Sequence, residues 1–74
     1  MDVVIGGIYK HFKGHIYKVL YIAKDSETLE DLVIYQDTLD PNKIWARKKD
    51  IFLSKVDKEK YPNVTQVYRF ELIK

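Results

Sequence analysis

The stretch "DSETLEDLVIYQ", Asp25 to Gln36, decides how the chain is read. Its hydroxyls and carboxylates suit either the first turn of a helix or an acidic site. Thr28 followed three residues later by Asp31 matches a capping box, but a cap requires a helical period after it, and none follows. Val33, Ile34 and Tyr35 are instead β-branched and aromatic, a run too short for a stable helix and well suited to a pleated, half-buried surface. Leu32 to Gln36 is therefore predicted to be a strand. Asp25 to Asp31 becomes the connection between two antiparallel strands. There Asp25, Ser26 and Thr28 bond nearby backbone N–H groups, Leu29 packs inward, and Glu30 pairs with a basic neighbour.

Upstream, "IYKHF" and "HIYKVLYIAK" flank Lys13 and Gly14 and read as a hairpin, with Gly14 supplying a positive-φ turn position. If Lys13 and Gly14 alone form the loop, Phe12 faces His15, Lys10 faces Tyr17 and Ile8 faces Val19. Ile8, Phe12, Tyr17 and Val19 then form the core face, with Tyr9, His11, Ile16 and Lys18 on the other. A three-residue loop would reverse that assignment. Downstream, "DPNK" (Asp40 to Lys43) suits a type I turn, "IWAR" a short strand, and Asp50 to Phe52 a single 3₁₀ turn leading into a short strand. "VTQVYRFELI" alternates most cleanly, with Tyr68, Phe70 and Leu72 on one side.

Five short strands, tight turns and one helical turn predict a mainly β fold, a small SH3-like five-stranded antiparallel barrel. The 74 residues are read as a single domain, 1–74, with residues 1–5 and Lys74 as loose ends. A chain of about 60 residues removes only about 60% of its unfolded surface from water, so a shallow groove is expected rather than a deep cavity. Without cysteine, no disulfide or thiolate zinc site holds the fold. The apolar run "VVIGGI" is too short to span a membrane and lacks the flanks of a secretory signal, so a cytoplasmic location is expected.

The net charge of +2 hides a segregation. Residues 3–24 carry four Lys and no acid, residues 25–40 carry six acids and no base, and residues 41–60 carry seven bases against three acids. Folded into neighbouring strands, these blocks largely neutralise one another; alternatively, a basic patch is left for a polyanion.

From Gly7 to Gln36 the chain resembles a family of short bacterial proteins catalogued only as a domain of unknown function. The shared pattern runs G-x-Y-x-H-F-K-G-x-x-Y-x-V-L, then A-x-x-S-E-T-L-E, then L-V-x-Y, from Gly7 to Tyr35; the second half shares Trp45, Arg47, Phe52, Val56, Arg69 and Phe70. Three positions depart from it. Lys48 replaces the proline of W-x-R-P, Asp25 replaces a histidine, and Tyr21 replaces a glycine. The resemblance implies bacterial origin and a compact β fold. It brings no activity, and no role that needs an imidazole at position 25 is carried over.

His11 and His15 resemble an H-x-x-x-H metal pair, but Gly14 interrupts the helix that would align them, and the proposed hairpin places them on opposite faces. No metal or cofactor is expected. Ser26, Glu27, Thr28 and Glu30 resemble catalytic groups, yet a polar loop offers no pocket to shift a pKa and no base to activate a hydroxyl, so no enzyme is expected. Tyr9, His11, Lys13, Tyr35, Trp45 and Arg47 are the candidate ligand-binding residues. Small barrels bind extended peptides or single strands on aromatics, with Arg and Lys fixing carboxylates or phosphates. Trp45 and Arg47 share a face of their strand. Either Trp45 is core and Arg47 reaches the acidic loop, or both are displayed. The expected function is a noncatalytic protein or peptide binding module, with a single-stranded nucleic-acid binder as the alternative.

Overall fold

The computed structural model describes residues 2–74. The five strands are β1 (Ile8–His11), β2 (Ile16–Lys24), β3 (Asp31–Asp37), β4 (Ile44–Lys48) and β5 (Phe70–Leu72), with one helical turn, α1 (Lys49–Phe52), between β4 and β5. They form one antiparallel sheet in the order β4-β3-β2-β1-β5. The fold is mainly β, as the alternation in the sequence predicts. The sheet itself is not closed by pairing between β4 and β5. Segment 54–56 partly spans that gap: Lys55 bridges Tyr68, and the Val56 and Arg69 amides donate to Val67 and Ser54.

The first hairpin corrects the predicted register. Tyr9 pairs with Tyr17 and Ile8 with Lys18, one residue away from the predicted alignment. The loop is Phe12-Lys13-Gly14, closed by the His11 amide donating to the His15 carbonyl and the Gly14 amide to that of His11, with Gly14 at φ +102°. A three-residue loop ending in a left-handed glycine carries the chain's twist without splaying the strands. The consequence is a reversal on β1: Tyr9 and His11, not Ile8 and Phe12, lie on the core face, while Tyr17 and Val19 stay inside as predicted.

Between Val19 and Tyr21 the β2–β3 register slips by one residue. An extra residue reverses the side-chain parity. Val19 and Ile22 can therefore both face the core, while Tyr21 is displayed. The core is Tyr9, Val19, Val33, Tyr35, Phe52 and Phe70. Phe52, 1% exposed, stacks on Phe70 with centroids 4.1 Å apart and planes 8° off parallel, and Tyr9 and Tyr35 meet it edge-on. Gly7 lies under this layer, where a Cβ would approach a Leu72 methyl and the Val4 carbonyl oxygen to 2.9 Å.

Two further expectations change. The helical turn is α rather than 3₁₀, because the Leu53 amide reaches the Lys49 carbonyl four residues back. The last segment is not a long strand: only Phe70–Leu72 enters the sheet, and segment 54–56 is a bridge rather than a strand. Residues 66–69 bond elsewhere. The Gln66 side-chain amide donates to the Lys10 and Tyr68 carbonyls, and the Arg69 amide turns to Ser54. The chain thus changes partner, from segment 54–56 to β1, at the Arg69–Phe70 junction.

The Asp25 to Asp31 connection is a turn. The Asp25 carbonyl accepts the Leu29 amide, the Asp25 amide donates to the Glu30 carbonyl, and the Asp25 carboxylate accepts the Glu27 and Thr28 amides. Those bonds hold the Asp25 carboxyl below its ordinary value. Thr28 accepts the Glu30 amide, and Glu30 pairs with Lys48 at 3.5 Å. Leu29 departs from expectation: it adopts φ +62° and is 70% exposed, so the turn presents it to solvent instead of anchoring it.

Candidate functional site

Alternation on β4 places Trp45 and Arg47 on the face that also carries Tyr35 and Val33, their direct partners on β3. β4 is an outer strand, so these two side chains overhang the end of the core. Trp45 is 48% exposed, and the Arg47 guanidinium carbon stands 5.5 Å from the centre of the Phe70 ring. Neither half of the first alternative holds. Trp45 is not core, and the acidic turn is held by Lys24 on Asp31 and Lys48 on Glu30.

From the other side the hairpin loop brings up His11, Lys13 and His15. The 57–64 loop adds Tyr61, held by its amide bonding the Asp57 carbonyl and by the Lys58 ammonium bonding the Val64 and Gln66 carbonyls. Tyr61 packs on Phe12 at 4.9 Å, and the Lys13 ammonium lies 5.6 Å from the Tyr61 ring centre. Together with Tyr17, Tyr35, Phe70 and Arg69 these residues line one cleft of about 290 Å³.

Five of the six predicted residues, His11, Lys13, Tyr35, Trp45 and Arg47, line this cleft. Tyr9 does not. The register shift places it in the core against Phe52, and its hydroxyl accepts the Val4 amide. Phe12, His15, Tyr17, Tyr61, Arg69 and Phe70 complete the cleft, and the sequence reading does not single them out as ligand contacts. The signal for Arg69 was its distance of one residue from Phe70, hidden by reading 64–73 as a single strand. Tyr61 sits in a loop without periodicity, and sequence gives no sign of where it points.

The cleft holds Lys13, Arg47 and Arg69 but no carboxylate, and among the described residues none of the three makes an ion pair. Elsewhere Lys24 meets Asp31 at 2.7 Å, Lys49 meets Asp2 at 2.9 Å and Lys48 meets Glu30 at 3.5 Å. Arg69 is braced by Nε donating to the Ser54 hydroxyl. His11 lies among these cations, on Phe12 and edge-on to Phe70. Burial first, then Arg47, Arg69 and Lys13, depress it from 6.5 to about 4. Its Nδ1 accepts the Lys13 amide at 3.1 Å. The neutral ring therefore carries its proton on Nε2. Burial, with Tyr35 and Asp37, pushes the Tyr17 phenol up, so it too remains a donor. A cleft lined by donors and cations and by no carboxylate, with Asp37 at its margin 4.0 Å from His15, is complementary to an anion.

The corrected register also places both histidines on this cleft, not on opposite faces. They remain a pair: among the described residues no group of three or more His, Cys, Asp or Glu could hold a metal. Glu27 and Glu30 lie in the exposed turn and do not line the cleft with His11. Among the described residues no helix is long and apolar enough to cross a membrane.

No curated protein and no solved structure matches the chain. The family described as "Protein of unknown function (DUF1653)" matches residues 7–72. With the match covering nearly its whole length, the chain belongs to that family.

Proposed function

We propose that the protein is a noncatalytic binding module of the bacterial cytoplasm that holds a peptide segment of a partner protein in the cleft of His11, Lys13, Tyr35, Trp45 and Arg47. One observation carries the reading: three cations without acidic partners surround an aromatic floor in a single shallow cleft. Aromatic rings supply contact area at low entropy cost, and Arg pairs with carboxylates through two parallel bonds. The architecture belongs to the same proposal, an SH3-like barrel. The strand order, the bulged β2, the helical turn between β4 and β5, and the bridge from 55 to 68 support it.

Trp45 is the only tryptophan and stands at the rim, so its fluorescence reports occupancy. Titration with the acetylated, amidated peptide Thr-Glu-Thr-Leu-Thr-Glu-Thr should change that emission saturably. The same peptide with Gln in place of Glu, or the Arg47→Gln protein with the original peptide, should show at least a tenfold weaker response. Equal responses to the Glu and Gln peptides would refute the reading.

Exposed Trp45 beside Arg47 also suits a stacked base with its phosphate, which keeps single-stranded nucleic acid as the second reading. Three cations would give a log–log salt slope of about −2 for single strands. Oligo(dT) binding with that slope would favour this reading; no binding at low salt would remove it.

A further inference from the structure

The outer edge of β4 runs along the mouth of the cleft, and the pairing pattern tells which backbone groups it offers. The Asp37 amide donates to the Lys43 carbonyl at 3.0 Å, which makes 37 and 43 a hydrogen-bonded pair. Opposed residues in an antiparallel ladder alternate between bonded and non-bonded pairs. Continuing in the observed register, Trp45 with Tyr35 and Arg47 with Val33 are bonded pairs; Ile44 with Gln36 and Ala46 with Ile34 are not. The N–H and C=O groups of Ile44 and Ala46 therefore point away from β3, toward the open edge. Both residues are exposed, and among the described residues no backbone bond reaches that edge.

We propose that β4 takes up an extended acidic peptide as a sixth, antiparallel strand, bonded to Ile44 and Ala46, with a carboxylate of that strand seated on Arg47 and an apolar side chain on Trp45. Opposed side chains lie on the same face of a sheet. The incoming residues opposite Trp45 and Arg47 would occupy non-bonded pairs, the closer kind, with Cα atoms about 4.5 Å apart. They would point into the cleft, where Arg69, Lys13 and His11 Nε2–H complete the anion site. The strand must therefore carry an acid and an apolar residue two positions apart, with the residue between facing outward. The acid-free cation cluster selects this occupant over a neutral or basic one.

The inference rests on the cleft being a peptide site, and the test separates the two. Calorimetry would compare the Thr-Glu-Thr-Leu-Thr-Glu-Thr peptide with N-acetylglutamate methylamide, which reaches the cleft but cannot form a strand. Ala46→Pro removes the outward N–H without touching the β3 ladder, a substitution edge strands tolerate. It should weaken the peptide about five- to tenfold and leave the small ligand unchanged. Should that variant fold poorly, the wild-type protein decides. N-methylation of the central threonines, whose N–H groups would face β4, should cause the same loss, and N-methylation of the leucine should not.

Equal affinities for all peptides, with Arg47→Gln still abolishing binding, would overturn strand addition and leave the cleft reading intact. Binding of neither the peptide nor N-acetylglutamate methylamide would end both. A dimer that Ala46→Pro dissociates would assign the edge to a second copy, and tighter binding of oligo(dT) than of peptide would assign the cleft to nucleic acid. Either result would overturn the proposal.

Discussion

Acidification from pH 7 toward 4 should destabilise this fold, and His11 is one cause. Its pKa lies at about 4 in the folded chain against 6.5 for an ordinary histidine, so the unfolded chain takes up the proton first. Stability is then complete above about pH 6.5, declines as the pH falls toward 4, and is flat with respect to this group below that. At about 1.4 kcal/mol per tenfold change in proton affinity, the full difference corresponds to about 3 kcal/mol. The ring is only half-buried, so solvent screening reduces this to roughly 1 kcal/mol by pH 4.5. For a chain of this size that lowers Tm by about 4 to 8 °C. Asp2, Asp25 and Asp31 all sit below 3.8 and stay ionised in that window. Thermal melts at pH 7 and 4.5 should show the drop, and His11→Asn, whose side-chain oxygen still accepts the Lys13 amide, should abolish most of it. Removing one of the surrounding cations with Arg47→Gln should raise the His11 pKa in an NMR titration. A His11 resonance titrating near 6.5 in the wild-type chain would refute the reasoning, because the ring would then feel neither burial nor the three cations.

Other perturbations test the fold. Leu29→Gly should stabilise by about 0.5 to 1 kcal/mol, since a left-handed conformation costs a β-carbon-bearing residue about 1 to 2 kcal/mol and glycine's added unfolded-state freedom offsets part of the gain. Leu29 is 70% exposed, so little packing is lost; a lower Tm would show that the side chain is bound to something. Phe52→Ala should cost about 3 to 5 kcal/mol, most of what a chain of this length has, and near-UV circular dichroism should reveal the lost packing around Phe70. Glu30→Gln breaks an exposed pair with Lys48 and should cost less than about 0.5 kcal/mol in urea denaturation, while peptide binding stays unchanged. Lost binding in that variant would move the site from the cleft to the acidic turn.

Where local chemistry decides structure, the sequence is readable. The β-branched run at Val33 and Ile34 sets β3, Asp40 to Lys43 closes with the Lys43 amide on the Asp40 carbonyl, and the carboxylate of Asp25 shapes its own turn. Where a single residue changes parity, it is not. One more loop residue at Phe12 turns Tyr9 inward, and the slip after Val19 reverses β2. The site shares this division. Trp45 and Arg47 are legible as an i, i+2 pair on a strand, and His11 reaches the cleft although its face was assigned on a different register. Arg69 and Tyr61 arrive through contacts distant in sequence, between segments 54–56 and 67–69 and between Phe12 and the 57–64 loop. No periodicity encodes such contacts.

The proposed seating of a peptide's anionic group in the cleft of His11, Arg47 and Arg69 can be followed residue by residue. Chemical-shift mapping on uniformly labelled protein, with the Thr-Glu-Thr-Leu-Thr-Glu-Thr peptide added at low salt, tests it most directly. The Trp45 indole N–H, the His11 ring and the Arg47 and Arg69 Nε–H signals should move together and saturate at one common concentration. Movement confined to the acidic turn around Leu29, or none at millimolar peptide, would contradict it.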